Sequence, residues 1–322
     1  MIQRALIEER QLNMLKTAFG KEVMDYLYDE KIIEIMLNPD GRLHYERIGE
    51  GKVATDIYIP AEQSENIVKL VASFKNHVAN DEHPEVSAEL PFQGARFQGW
   101  LPPVVNRACF SIRRRAIAIF TLDQYVEQGA LTHDQAEGLR RAVLERKNIV
   151  VVGGTGSGKT TFCNALLAEL QGSQDRILVI EDLPELQVEV DDLVTMTTTT
   201  SVTMRDLVKG SLRMRPDRIV IGEVRDGSAL DLLKAWNTGH PGGVCTIHAN
   251  SVESAPYRFE DLIQEAVVTV PRTLILQAID LIVFISRDKA GKRKITDLVE
   301  LSGYENGEYL LKPLLHPTLY GF

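Results

Sequence analysis

The sequence predicts an α/β domain built on a parallel sheet, preceded by a smaller α+β domain. Three observations predict it. First, residues 148–161 join an apolar, β-branched run to a glycine-rich turn and then to a helical pattern. Second, four more short runs that are apolar throughout follow at 177–180, 219–221, 244–247 and 281–285, with helical patterns between them. Strands without polar alternation, interleaved with helices, belong to a parallel sheet covered on both faces. Third, the first third of the chain lacks that alternation and mixes short strands with single helices. The expected division is an N-terminal α+β domain over 1–113, a linker over 114–132 and a P-loop domain over 133–322.

Taken in order, residues 1–30 mix apolar and charged side chains and predict one or two helices. Such a helix can pack on its own domain or touch a membrane surface; its polar face is not notably basic, which favours packing. From 33 to 60 the signal is β, with Asn38-Pro39-Asp40-Gly41 as a turn. Ile67, Leu70, Val71, Phe74 and Val78 fall at helical spacing. Short strands are expected at 86–90, 95–101 and 108–113, with Pro102-Pro103 as a break and Arg113-Arg114-Arg115 closing the domain. A helix ending near Arg146 then leads into the strand at 148–152. In the second half Thr203 and Asp206 match a capping box ahead of a helix. Ala229, Leu232, Leu233 and Trp236 mark another helix, Phe259, Leu262, Ile263 and Ala266 a third, and Pro271 opens a fourth.

The stretch Gly153-Gly154-Thr155-Gly156-Ser157-Gly158-Lys159-Thr160-Thr161 fits G-x-x-x-x-G-K-[ST]. Glycines allow positive φ and a close approach of backbone to ligand. Successive N–H groups then form one concavity for phosphate oxygens. Lys159 is placed to neutralise the β- and γ-phosphates, and the Thr160 hydroxyl is a ligand for Mg²⁺. No N-K-x-D guanine-reading motif occurs in the chain, so ATP is the expected nucleotide.

Composition narrows the class. With 36 Lys and Arg against 45 Asp and Glu, the net charge of −9 argues against tight nucleic-acid binding by the whole surface. Cys109, Cys163 and Cys245 are far apart and form no C-x-x-C pair, which fits neither a disulfide framework nor a zinc site. No apolar run approaches the roughly 18 residues of a membrane span.

In parallel sheets ligands bind outside the carboxyl ends of the strands. The predicted strands end in Glu181-Asp182-Leu183-Pro184-Glu185, in Gly222-Glu223-Val224-Arg225 and in His248. Carboxylates there can hold Mg²⁺ or its waters and orient an attacking water. His248, and less directly His240, can meet the γ-phosphate through a ring N–H. Arg96, Arg113, Arg114, Arg115, Arg213 and Arg225 are candidates for a cation that meets the transferred phosphoryl group.

These motifs together resemble the secretion ATPase superfamily. The stretch 153–161 is similar to its Walker A, 181–185 to its acidic Asp box, 218–225 to its atypical Walker B, and 239–250 to its His box. Leu212-Arg213-Met214-Arg215-Pro216-Asp217 resembles the type IV secretion and conjugation branch, and the four-cysteine zinc insertion common in type II secretion members is absent. The resemblance implies a RecA-like ATPase domain and a homohexameric ring with ATP and Mg²⁺ between N- and C-terminal domains. By motif position it implies phosphate binding by 153–161, Glu185 as general base, and Glu223 supporting Mg²⁺ or the water. His248 would serve as a further catalytic group. Arg113, in Phe110-Ser111-Ile112-Arg113, and Arg96, in Gly94-Ala95-Arg96, would reach the nucleotide from the N-terminal domain. Leu183-Pro184 departs from pilus-type members, which carry proline directly after the Asp. The implied setting is cytoplasmic, peripheral at the inner face of a bacterial inner membrane, beside the membrane components of a type IV secretion machine. The rival readings are a pilus or type II secretion motor, a motor that itself grips DNA, and a scaffold that uses ATP only to assemble.

Overall fold

The structure is a computed structural model that describes residues 2–47, 50–75, 77–114, 120–199, 201–288 and 292–314, with side chains from residue 9 onward. Arg115 lies outside the described residues. The chain divides into two compact units, Met1–Ala116 and Ile117–Phe322.

The first unit opens with α1 (Ile2–Tyr28), broken at Gly20, where φ is 76°. Leu15, Phe19, Val23 and Leu27 recur every four residues and are at most 2% exposed, so one face of this helix is spent on its own unit's core. A six-stranded antiparallel sheet follows, in the order β3-β2-β1-β6-β5-β4. Its strands are β1 (Ile32–Leu37), β2 (Arg42–Arg47), β3 (Gly51–Tyr58), β4 (Glu85–Glu89), β5 (Arg96–Trp100) and β6 (Cys109–Arg113), with α2 (Ala61–Phe74) between β3 and β4. The turn at 38–41 forms as expected: Gly41 donates to the Asn38 carbonyl at 2.9 Å. Phe19 packs edge-on against Phe92, Phe97 and Phe110 at the centre of this core.

The second unit begins with α3 (Leu122–Glu127) and α4 (His133–Leu144), each opened by a capping box, Thr121 with Gln124 and Thr132 with Gln135. Part of the stretch expected as linker is therefore structured: Leu122, Tyr125, Ala130 and Leu131 are built into the second unit's core. An eight-stranded sheet follows, in the order β14-β13-β12-β7-β11-β10-β8-β9. Its parallel part comprises β7 (Ile149–Val152), β8 (Ile177–Glu181), β9 (Leu193–Thr197), β10 (Arg218–Ile221), β11 (Val244–Ile247) and β12 (Leu281–Arg287). The antiparallel strands β13 (Arg293–Glu305) and β14 (Glu308–Pro313) extend it beyond β12. The helices are α5 (Lys159–Ala168), α6 (Met204–Ser211), α7 (Ser228–Asn237), α8 (Ser254–Gln264) and α9 (Arg272–Ala278). Thr203 and Asp206 form the expected capping box on α6. Pro256 sits in the first turn of α8, where a missing N–H breaks no helical hydrogen bond. Two cores, one on each face, enclose β7, β10 and β11 completely, which is why these strands read as unbroken apolar runs.

Buried polar side chains tie the amino ends of the central strands. Asn148 is 3% exposed. Its Oδ1 accepts from Gly242 and Gly243 at 2.8 and 3.0 Å, and its Nδ2 donates to the Ala278 carbonyl at 2.8 Å. One side chain thus fastens the approaches to β11 and β12 onto the start of β7. Farther along, Glu260 takes a bidentate pair of hydrogen bonds from Arg272 at 2.7 and 2.9 Å and one from the Tyr309 hydroxyl at 2.8 Å, joining α8, α9 and β14.

An Asn148→Ala variant would leave two buried backbone donors and one carbonyl without partners. It is expected to lose about 2–4 kcal/mol of stability in chemical denaturation. An unchanged midpoint would show that these bonds contribute little.

Candidate nucleotide site

At the carboxyl end of β7 the chain turns through 153–158 into α5. Gly153, Gly156 and Gly158 have φ of 156°, 71° and 103°, in the region that side chains disfavour. A Cβ on Gly153 would strike the carbonyl of Ile285 on β12, so the loop lies too close to the neighbouring strand for any side chain there. A Cβ on Gly158 would meet Arg293 Cδ and Nε at 2.8 Å. The result is a bare-backbone turn opening onto the N-terminus of α5, whose dipole favours an anion. Thr160 and Thr161 occupy its first turn, and Gly154 and Thr155 are exposed. Ser157 is buried, and its Oγ has no hydrogen-bond partner.

Lys159 is 7% exposed. Its Nζ donates to the carbonyls of Gly153 and Gly154 at 3.0 and 3.1 Å and lies 3.3 Å from His248 Nδ1. His248 stands just beyond β11, and its Nε2 is 2.8 Å from Glu223 Oε1. Glu223, just beyond β10, also takes a hydrogen bond from Arg225 at 2.6 Å, and Arg225 lies 3.6 Å from Asp182. Lys159, His248, Glu223, Arg225 and Asp182 therefore form one polar chain across the carboxyl ends of four parallel strands. The sequence placed Lys159 in the glycine loop and the other four at strand ends but did not reveal the order of their contacts.

Electrostatics fix the charge states. Burial and the Lys159 ammonium hold His248 below its usual range, so the ring is neutral at neutral pH. Burial pushes Glu223 up, but Arg225, with help from His248 and Lys159, outweighs it and keeps the carboxyl below its usual range, hence ionised. A neutral imidazole bridging an ammonium and a carboxylate can accept at Nδ1 and donate at Nε2.

Glu181 is 5% exposed and accepts the backbone N–H groups of Glu185 and Leu186, both at 2.9 Å. A Cβ at position 222 would come within 2.9 Å of Glu181 Cγ, so Gly222 is the room that this carboxylate needs. Asn164 on α5 pins the same segment: its Oδ1 accepts from Gln187 at 2.9 Å and its Nδ2 donates to the Glu185 carbonyl at 3.3 Å. Glu185 is thus carried on a loop fastened at both ends, within electrostatic reach of Arg225. The sequence reading missed Asn164; an amide inside a helical pattern gives no sign of which loop it holds.

Thr160 supplies a hydroxyl, and Glu181 and Glu223 supply carboxylate oxygens from the two neighbouring strand ends. This hard-oxygen set suits Mg²⁺ carried in with a phosphate ligand and several waters. Among the described residues no cluster of three or more His, Cys, Asp or Glu side chains could hold a metal by itself.

The remaining candidates separate. His240 is engaged in its turn, with Nδ1 2.9 Å from the Pro216 carbonyl. Arg114 is bonded to the carbonyls of Asp29 and Ile32 and to Gln93, a structural role within the first unit. Arg213 is exposed. Arg96 and Arg113 belong to the first unit, where they are directly opposed cross-strand partners on β5 and β6. They sit in a charged row across its sheet: Lys52, Glu46, Glu34, Arg113, Arg96, Glu89.

His248 yields a pH expectation. Its folded pKa lies below 6.5, so in acid the unfolded chain takes up a proton that the folded chain refuses. Stability from this group is intact above pH of about 6.5 and falls as the pH drops below it. A His248→Asn variant is expected to show a shallower loss of melting temperature between about pH 6.5 and 5 than the wild type. Parallel curves would remove His248 as the cause.

Comparison with known proteins agrees with these motifs. The family model described as type II/IV secretion system protein matches residues 29–298. The conjugal transfer protein TrbB of Rhizobium radiobacter is 46% identical over 302 residues, covering 93% of each chain. The type IV secretion system protein VirB11 of Bartonella quintana is 31% identical over 320 residues, covering 85% of this chain and 89% of its own. In fold, the chain is similar to the Legionella pneumophila ATPase DotB, with a TM-score of 0.62, 17% identity and coverage of 86% and 79%. It is also similar to the pilus retraction motor PilT with bound ADP, with a TM-score of 0.61, 19% identity and coverage of 91% and 82%. At those identities the two structures speak for the fold alone. With its glycine-rich loop, its acidic strand ends and a family match over most of its length, the chain belongs to the type II/IV secretion system protein family.

Proposed function

We propose that the protein is an ATPase of a conjugative type IV secretion system, which hydrolyses ATP to drive pilus assembly or the passage of DNA or protein. The observation that carries this reading is the continuous chain Lys159–His248–Glu223–Arg225 at the mouth of a glycine loop. The relationship to TrbB and VirB11 supplies the setting.

ATP binds with its phosphates in the concavity of 153–161. Lys159 exchanges its bonds to the Gly153 and Gly154 carbonyls for the β- and γ-phosphate oxygens. The Thr160 hydroxyl and, through water, Glu223 would hold Mg²⁺, which would supply screening of the phosphate charge. His248, neutral and with Nε2 2.8 Å from Glu223 Oε1, stands on the γ-phosphate side. Glu185 is the general base for the attacking water; its loop, clamped by Glu181 and Asn164, keeps the carboxylate from drifting. Arg113, with Arg96 beside it, is the cation that the N-terminal domain brings to the nucleotide. The working form in this reading is a homohexamer with a RecA-like ATPase domain, cytoplasmic and peripheral at the inner face of the inner membrane, against inner-membrane components of the secretion machine. Among the described residues no helix is long and apolar enough to cross a membrane. The acidic balance of the chain supports a motor that does not itself grip DNA tightly.

ATP turnover measured against protein concentration, with mass determined alongside, tests the reading. Turnover should rise as a ring forms and fall on the order of a hundredfold or more in Glu223→Gln, with ADP binding retained. Turnover independent of assembly, or undiminished in the variant, would sink it.

Arg113→Ala separates the arginine's role. It should lower turnover on the order of a hundredfold or more while the nucleotide-free melting temperature stays within a degree or two of wild type. Full turnover in this variant would remove Arg113 from the site.

A further inference from the structure

Gly153, Gly154 and His248, which all meet the Lys159 ammonium, also line a cavity of about 290 Å³. Another part of its lining comes from α8. Side chains on that helix divide between two faces. Ala255, Phe259, Leu262 and Ile263 are buried in the core of the second unit. Ser254, Tyr257, Arg258 and Asp261 follow the i, i+3, i+4, i+7 spacing of the other face, and all four line the cavity. Because one face is sealed in the core, the helix cannot turn to carry the other elsewhere. Arg258 is the cation of this stripe. It is half-buried, and among the described residues it forms no hydrogen bond or ion pair, even with Asp261 one turn later. Burial and the Lys159 ammonium are the main causes that hold His248 below its usual range, and Arg225 and Arg258 add to them. The Arg258 charge is therefore within electrostatic reach of that ring.

We propose that Arg258 is a specificity-determining residue that binds the γ-phosphate oxygens of ATP and so lets the site tell ATP from ADP. The inference rests on the ATPase reading above and adds to it a residue that none of the motifs contains. In a glycine loop of this kind the backbone N–H groups cradle the inner phosphates, and the lysine reaches the outer ones. The position of the Lys159 ammonium therefore marks the outer end of the phosphate chain. The cavity adjoins that ammonium through the first two glycines of the loop, so a phosphate beyond the β position comes to rest beside it. A guanidinium fork matches two oxygens of one phosphate and gives paired, charge-assisted hydrogen bonds. Arg258 belongs to the same unit as the loop and is carried on a helix packed into its core, so it is oriented before the nucleotide arrives. ADP has no phosphate at this end and leaves the fork without its ligand. The contact thus separates substrate from product by the one group that differs between them.

The test uses the full chain with Arg258→Gln, which removes the charge, and Arg258→Lys, which keeps it but loses the fork. Affinity for ADP and for a non-hydrolysable ATP analogue, each with Mg²⁺, is measured by calorimetry, with nucleotide-free melting alongside. Arg258→Gln should weaken the analogue at least about tenfold, the scale of one lost charge-assisted contact, and leave ADP within about twofold of the wild type. Arg258→Lys should fall between the two. The nucleotide-free melting temperature of both variants should stay within about two degrees of the wild type, as for a side chain outside the core. The ratio of the two affinities is a readout that a merely structural residue would not move. Analogue binding within about twofold of wild type in Arg258→Gln overturns the proposal. So does an equal loss for both nucleotides. Lys159→Ala separates the two levels: a lysine variant that binds both nucleotides as tightly as the wild type would overturn the ATPase reading itself. Loss in the lysine variant with none in Arg258→Gln overturns only the role of the arginine.

Discussion

A buried ammonium at the positive end of a helix dipole is the constraint on which the second unit depends. Lys159 opens α5, where the helix field opposes a cation, and it is nearly sealed from water. The fold answers with short-range partners that include two loop carbonyls, a neutral imidazole and, one step further, an ionised carboxylate. Each partner comes from a different parallel strand end. The strand order that sets β7 beside β11, with β10 next, is what brings them within reach. The arrangement holds the ammonium against the backbone at the mouth of the glycine loop. A phosphate oxygen is the partner that this geometry prepares for.

Glycines in the site have two separate jobs. Gly153 is small because a neighbouring carbonyl is in the way, and Gly222 because Glu181 needs its volume. The second case shows how an acidic loop and the strand beside it depend on each other. Glu181 can turn inward to hold the Glu185 loop only because the next strand ends without a side chain. The placement of the Glu185 loop is thus a consequence of packing between β8 and β10, and Asn164 secures the same loop from α5.

How much of this was readable from the chain follows from the physics of each part. Strands β7, β8, β10 and β11 are enclosed on both faces and carry no polar alternation, so they were evident. Strands β9, β13 and β14 were missed because they lie toward the edges: Leu193–Thr197 and Arg293–Glu305 mix polar and apolar residues that resemble loop. The stretch at 121–131 read as connector, yet Leu122 and Tyr125 are core; six residues of helix are too few to display a period. The positions of residues 153–161, Glu185, Glu223 and His248 were legible because each follows a recognisable strand. The roles of Asn148 and Asn164 were not, since a hydrogen bond spanning up to 130 residues leaves no local trace. The glycines that share a cavity with Arg258 are likewise a property of the folded chain, invisible in linear order.

The order in which the second sheet can be completed has a biological consequence. Its central strand β7 pairs on one side with β11 and on the other with β12, and the first glycine of its loop rests against Ile285. A nascent chain that has emerged only through the glycine loop has no neighbouring strand to shape it. Contacts between residues so far apart form late and slowly. The nucleotide pocket therefore matures near the end of synthesis rather than when its signature residues appear. Until then the growing polypeptide lacks the strand neighbours that shape its glycine loop.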